Sequence, residues 1–291
     1  RELQAFRDRI EDQQIAGLQA LQGFRQVHAP FVGRQEQKRR LGGALKETLL
    51  GRSPTVGIVG TAGSGKTRLL DDLALQAVRK GFIVYRGRGE AEESSGPFSL
   101  LGGIVDKIAE EFGQDEARLR GLRKALGEQA AILAATFPSL KDLSEVRTED
   151  ETTPWLDAKI LRALRSLFRQ TSSPTHPALI IMDDLQWADA ATRRFVLFWN
   201  SELEHVKDSH ALLVVGSRPA EEVAAVQASC TVQIELPPFT SEEIEELFSA
   251  FGNALGVSEL SVVKDLTAGN PLMVVETLRE ISTPSEDDGS M

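Results

Sequence analysis

The sequence predicts an α/β fold: a five-stranded parallel sheet with helices on both faces, three layers in all, followed by a small helical subdomain. Three observations predict it. Five short runs rich in Val, Ile and Leu alternate with segments of helical periodicity, as expected for strands buried on both faces of a parallel sheet. The chain has 291 residues, 41% of them hydrophobic, enough for one large core or two smaller ones. After Pro237 and Pro238 the strand pattern stops and only helical periodicity remains.

Residues 1–29 are charged, with Leu3, Phe6, Ile10, Leu18, Leu21 and Phe24 at near-helical spacings, and read as an amphipathic helical linker that ends at HAP, residues 28–30. The run VGIVG at 56–60 is β-branched and bounded by glycine, as a buried strand should be. FIVY at 82–85, ALIIM at 178–182, ALLVV at 211–215 and VQIEL at 232–236 read the same way. Between the second and third runs lies an insertion of about ninety residues. Its segment 95–155 reads as mostly helical, broken by the polar SEVRTEDETTP at 144–154, which is expected to be a mobile loop. TSEEIEEL at 240–247 has the form of a helix capping box, with Thr240 or Ser241 as the cap. The expected organisation is a linker at 1–29, an α/β domain at 30–237, a helical lid at 238–281 and a disordered tail at 282–291, rich in Ser, Pro, Asp and Gly.

A formal net charge of −10 argues against broad affinity for nucleic acid or an anionic membrane. No apolar run approaches the roughly 20 residues needed to span a bilayer, and the first residues lack the apolar core of a secretory signal, so a cytoplasmic protein is expected. Cys230 is the only cysteine, which excludes an internal disulfide and a cysteine-rich metal site; a buried, inert thiol is expected. The four histidines, His28, His176, His205 and His210, show no metal-ligand spacing, so any metal must be held by oxygen. The chain starts on Arg rather than Met and is read as a module of a longer polypeptide.

The chemistry begins at GTAGSGKT, residues 60–67, which fits G-x-x-x-x-G-K-[ST] between a strand and a helix, the context that motif requires. Glycines let the backbone curl around an anion, and the following helix adds its positive end, giving a cradle for phosphates. Ala62, Gly63, Ser64, Gly65, Lys66, Thr67 and Arg68 are the expected nucleotide-binding residues. Lys66 is expected to neutralise the β and γ phosphates and Thr67 to offer its hydroxyl to Mg²⁺. The implied ligand is a nucleoside triphosphate with magnesium.

Phosphoryl transfer also needs a fixed metal and a positioned water. LIIMDD at 179–184 is an apolar strand ending in two carboxylates, at the sheet edge where α/β proteins bind ligands. Asp183 is expected to hold the metal through water and Asp184 to act as general base, the alternative for Asp184 being a helix cap. Asp is one methylene shorter than Glu, so slow hydrolysis is expected. Arg218, after the fourth strand, is expected to reach the γ-phosphate and distinguish triphosphate from diphosphate, the alternative being a solvated surface arginine.

FVGRQE at 31–36, the phosphate loop, IIMDDLQWAD at 180–189, VGSRP at 215–219, LPPF at 236–239 and GNPL at 269–272 follow the order seen in the STAND signal-transduction ATPases. The resemblance, closest to the bacterial AAA ATPase modules attached to serine/threonine kinases, adenylate cyclases and LuxR-type regulators, covers residues 30 to about 281. It implies a P-loop NTPase fold, ATP or ADP as ligand, Phe31, Val32 and Gly33 along the adenine with Arg34 nearby, and Pro271 as a lid proline on the base or ribose. Read from the residues alone, GNP at 269–271 is an ordinary turn. Trp187 is expected to pack at the sheet edge.

Arg118, Arg120, Arg123 and Lys124 read as a solvated helix face rather than a binding patch. Arg193 and Arg194 are candidates for an arginine finger acting across subunits, against the plainer reading of surface arginines. The function expected is a slowly hydrolysing, Mg-dependent ATPase acting as a regulatory switch beside an effector or sensor domain on the same polypeptide, with self-association as a further possibility. The alternatives are a ring-forming AAA+ ATPase that remodels protein or DNA, and a nucleotide-bound scaffold. Ring-forming motors usually place an arginine in the lid near the position of Asn270, Pro271 and Leu272; here the next arginine is Arg279, which favours the switch.

Overall fold

A computed structural model describes residues 31–91, 96–143, 156–202, 208–250 and 257–282. The expected linker at 1–29, the polar loop at 144–154 and nearly all of the tail at 282–291 lie outside the described residues. The chain divides into two compact units. One holds Gly60–Asp72 with the described parts of Arg1–Arg39 and Glu235–Met291; the other holds Arg40–Val59 and the described parts of Leu73–Ile234.

Helix α1 (Gln35–Leu49) precedes strand β1 (Thr55–Val59), helix α2 (Lys66–Arg79) and strand β2 (Ile83–Arg88). Four helices follow: α3 (Ser99–Gly113), α4 (Glu116–Leu126), α5 (Gln129–Thr136) and α6 (Leu156–Gln170). Asp115 caps α4, its carboxylate accepting from the Ala117 and Arg118 amides. Strand β3 (Ala178–Asp183), helix α7 (Ala190–Ser201), strand β4 (Ala211–Ser217), helix α8 (Glu221–Ser229) and strand β5 (Val232–Glu235) complete the α/β part. The last three helices are α9 (Ser241–Ala250), α10 (Val257–Thr267) and α11 (Pro271–Ser282).

The sheet order is β2-β3-β4-β1-β5, and the β2/β3, β3/β4 and β1/β4 pairs are parallel. Central β3 and β4 are buried at every residue, which explains their unbroken apolar runs. Parallel pairing puts the strand ends on one edge: Asp183 lies opposite Arg88, and Ser217 opposite Val59. The insertion helices and α7 build the main core around Phe168, Phe195 and Trp199, whose ring centroids are 5.6–6.3 Å apart. Cys230 is buried here, its thiol donating to the Val226 carbonyl at 3.3 Å, and burial pushes its pKa up to about 11, as befits an inert thiol.

In the other unit, Val32, Phe239, Ile244, Leu247, Phe248, Val263, Val274 and Leu278 form a small separate core. The capping box is built from Thr240: its Oγ1 accepts from the Glu243 amide at 3.2 Å, and Glu243 Oε2 accepts from the Thr240 amide at 3.0 Å.

Candidate functional site

Residues 60–65 connect β1 to α2, and Gly63 (φ 75°) and Gly65 (φ 89°) stand in the left-handed region that lets the loop curl. Lys66, the first residue of α2, is buried and its Nζ donates to the Gly60 carbonyl at 2.6 Å and the Thr61 carbonyl at 3.1 Å. Its ammonium is thus drawn across the loop it would serve. Thr67 is exposed at the first turn of α2, where the helix end favours negative charge. Ser64 Oγ is buried in the loop and has no hydrogen-bond partner among the described residues.

Two segments distant in sequence meet this loop within the same unit. Arg34 Nη2 donates to the Ser64 carbonyl at 3.2 Å, and its guanidinium lies 4.9 Å from the Phe239 ring centroid. Burial lowers the Arg34 pKa, with Glu243 opposing. Gly33 and Arg34 both have positive φ, 70° and 60°, so the FVGR segment turns sharply. The Arg34 amide donates to Glu243 Oε1 at 3.0 Å, so the capping carboxylate of α9 also anchors this turn. Phe31 sits under Lys38, 3.9 Å from its ring centroid, with the Arg68 guanidinium at 5.9 Å.

From the turn that precedes α11, Asn270 Nδ2 donates to the Ala62 carbonyl at 2.9 Å and the Leu272 amide to the Gly63 carbonyl at 3.2 Å. Asn270 Oδ1 accepts from the Leu272 and Met273 amides, capping α11. A cleft between this turn and the phosphate loop is lined by Thr61, Ser64, Pro238, Ala268, Asn270 and Pro271. GNP is therefore a turn, with Gly269 at φ 69°, and it also touches the phosphate loop.

The aspartates and Arg218 belong to the other unit. Asp183 has no exposure; its Oδ2 accepts from Arg86 Nη2 at 2.8 Å and its Oδ1 from the Asp184 amide at 3.0 Å. Asp184 is left-handed (φ 53°, ψ 44°), accepts from Arg88 Nε at 2.8 Å and from Gln186 Nε2 at 3.0 Å, and makes no side-chain cap bond to the turn that follows. The hydrogen bond to Asp184 raises the Arg88 pKa. The Arg218 amide donates to Gln186 Oε1 at 2.9 Å, while its side chain is exposed. Gln186 thus links the Asp184 turn to the end of β4. Trp187 is 47% exposed, and a Cβ placed on Gly89 would meet its Cβ at 3.1 Å.

Sequence reasoning missed Arg86, Arg88, Gln186 and the second role of Glu243. The available signal was YRGR at 85–88, two charges spaced by two residues at the end of an apolar strand, where alternation places them on one face. Arg193 donates to the Ala188 carbonyl and Arg194 pairs with Asp157 at 3.1 Å. Arg118 pairs with Glu111, and Arg123 donates to the Asp142 carbonyl, in keeping with a surface helix face.

A curated relative from Rhizobium meliloti (strain 1021), described only as an uncharacterized protein, is 23% identical over 94% of this chain; the chain spans 27% of that protein's length. Among solved structures, a Walker-type ATPase of Pyrococcus abyssi matches with a TM-score of 0.49 at 12% identity, covering 86% of this chain and 68% of that one. A STAND protein with a tetratricopeptide-repeat sensor from Pyrococcus horikoshii matches with a TM-score of 0.45 at 14% identity, covering 89% and 33%. The sequence profile of the AAA ATPase domain matches residues 30–215. This span holds the phosphate loop and the aspartate pair, and the chain belongs to the AAA ATPase domain family.

Proposed function

We propose that this chain is a slowly hydrolysing, magnesium-dependent ATPase module that works as a nucleotide-dependent switch within a longer polypeptide. The observation that carries the reading is the pair of lid contacts on the phosphate loop, Asn270 to Ala62 and Leu272 to Gly63. A loop that rearranges around phosphate alters these bonds directly, so ATP and ADP can favour different lid arrangements. A ligand shifts such an equilibrium only by its differential affinity for the two states.

In this reading the curled loop and Lys66 take the phosphates. Phe31, Val32, Gly33, Arg34 and Pro271 form the base and ribose side, with Ala62, Gly63, Ser64, Gly65 and Arg68 completing the nucleotide contacts. Thr67 and Asp183 are the residues that would hold magnesium. The chemistry fits: both are oxygen donors, and Asp183 is a carboxylate buried at a strand end, where a cation offsets its desolvation. Bound magnesium would supply charge neutralisation at the phosphates. Asp184 takes the proton of the attacking water, and Arg218 responds to the γ-phosphate. Its neighbour Gln186 bonds both the Asp184 carboxylate and the Arg218 amide, a short route between base and sensor. The rest of the polypeptide would carry the sensor or effector, in line with the much longer relative.

The test is to denature freshly purified, washed protein and identify the released nucleotide. Near-stoichiometric ADP, lost in Lys66→Ala, is the expected result. Nucleotide-free protein that turns over added ATP rapidly and assembles into rings would overturn the switch in favour of a motor.

A further inference from the structure

Strand β2 presents different residues to its two faces. Tyr85 and Gly87 face α3: a Cβ on Gly87 would lie 2.6 Å from the Leu100 carbonyl oxygen, and Tyr85 donates to Glu111 Oε2 at 2.7 Å. Arg86 and Arg88, between and beyond them, fall on the opposite face. There Arg86 meets Asp183 at 2.8 Å, with side-chain exposures of 14% and 0%. Its own backbone carbonyl accepts from Lys107 Nζ at 3.2 Å, so the residue is held at backbone and side chain alike.

We propose that Arg86 is a positioning residue serving as the resident cation of Asp183, and that it sets how much free magnesium the nucleotide site requires. The inference rests on the reading above, in which Asp183 is the magnesium carboxylate. A carboxylate with no exposure carries a large desolvation cost unless a cation or several donors meet it. Arg86 meets that need before any metal arrives. A divalent cation then encounters a carboxylate whose charge is already partly neutralised, next to a fixed guanidinium that repels it. Arg86 therefore stabilises the site without metal and weakens the site's hold on metal.

The experiment titrates magnesium against the binding of a fluorescent ADP analogue by the whole chain, comparing wild type, Arg86→Gln and Arg86→Lys, with thermal melts in EDTA alongside. Arg86→Gln is expected to lower the half-saturating magnesium about tenfold while nucleotide affinity in EDTA stays unchanged and the EDTA melt drops. Arg86→Lys, which keeps the charge, is expected to stay close to wild type. A merely structural Arg86 lowers the melt and leaves the magnesium requirement where it was; that result, or a higher requirement, overturns the proposal. Should Arg86→Gln fail to fold, the wild-type Arg86 side-chain ¹⁵N signal, assigned by its loss in Arg86→Lys, provides the readout. It must shift when magnesium is added to nucleotide-loaded protein, and a fixed signal overturns the proposal. Wild type that binds no nucleotide brings down the underlying reading as well, whereas wild type that binds with an unmoved Arg86→Gln brings down only this inference.

Discussion

Arg88 Nε donates to Asp184 Oδ2 at 2.8 Å, tying the proposed general base to the strand beside it while Asp184 stands at φ 53°. The guanidinium occupies one carboxylate oxygen and Gln186 Nε2 the other, so both compete with an attacking water for the same acceptor. Arg88→Gln is therefore expected to raise steady-state ATP hydrolysis several-fold, with little change in nucleotide affinity. Arg88 is largely exposed, so its loss should cost little stability. A turnover assay paired with a binding titration checks both halves. Unchanged or lower turnover would show that Asp184 does not act as the base in this way.

Gly33 and Glu243 form the second testable pair. Gly33 has φ 70°, and a Cβ there would overlap the Glu243 carboxylate, which accepts from the Arg34 and Thr240 amides. Gly33→Ala combines left-handed strain with displacement of that carboxylate, and about 2 kcal/mol or more of destabilisation is expected. Glu243→Gln keeps an acceptor oxygen and should cost less than Glu243→Ala, which leaves both amides without this partner. Denaturant unfolding curves rank the three.

The contrast between these two sites shows what was legible in the sequence. The phosphate loop was readable because eight consecutive residues carry its geometry, and the capping box because Thr240 and Glu243 are three residues apart. The anchoring of Arg34 by Glu243 spans 209 positions, and no local pattern encodes it. Strand β2 was expected at 82–85 but runs Ile83–Arg88, because Arg86 and Arg88 interrupt the apolar run. A sequence reader ends the strand where charge begins, whereas the fold continues it because Asp183, at the end of the neighbouring strand, and Asp184, just past it, supply counter-charges. The aspartates themselves were legible as a pair at a strand end. Their arginine partners were not, since pairing between strands is a tertiary fact.

Asp189 gives the pH dependence. Burial alone would raise its pKa, but the Thr192 hydroxyl and the amides of Phe98, Thr192 and Ala191 hold the carboxyl below its usual range. A depressed folded-state pKa contributes stability that is present above the unfolded value, near 4, and is lost as pH falls through the folded value. Asp189 also caps α7, accepting from the Thr192 amide at 2.9 Å. Asp189→Ala is expected to cost about 1–2 kcal/mol at pH 7. The gap from wild type should narrow below about pH 4. Melting temperatures of both proteins between pH 7 and pH 3 provide the check, and a gap that stays constant with pH would remove the carboxylate's charge from the account.

Variants of Asn270 can test stability and the proposed nucleotide retention separately. Its Oδ1 caps α11 through the Leu272 and Met273 amides, while its Nδ2 donates to the Ala62 carbonyl in the phosphate loop. Asn270→Ala loses both functions and is expected to cost about 1 kcal/mol of stability, with faster release of bound ADP. Asn270→Asp keeps the capping oxygen but replaces the donor facing Ala62 with a second oxygen, which repels that carbonyl. It should therefore unfold close to wild type while releasing ADP as fast as the alanine variant or faster. Stopped-flow displacement of a fluorescent ADP analogue measures release, and denaturant melts measure stability. Wild-type release from Asn270→Asp would mean that the lid turn holds only its own helix and that the switch must read the nucleotide elsewhere. Fast release at unchanged stability would assign the Asn270 to Ala62 bond to retention of ADP.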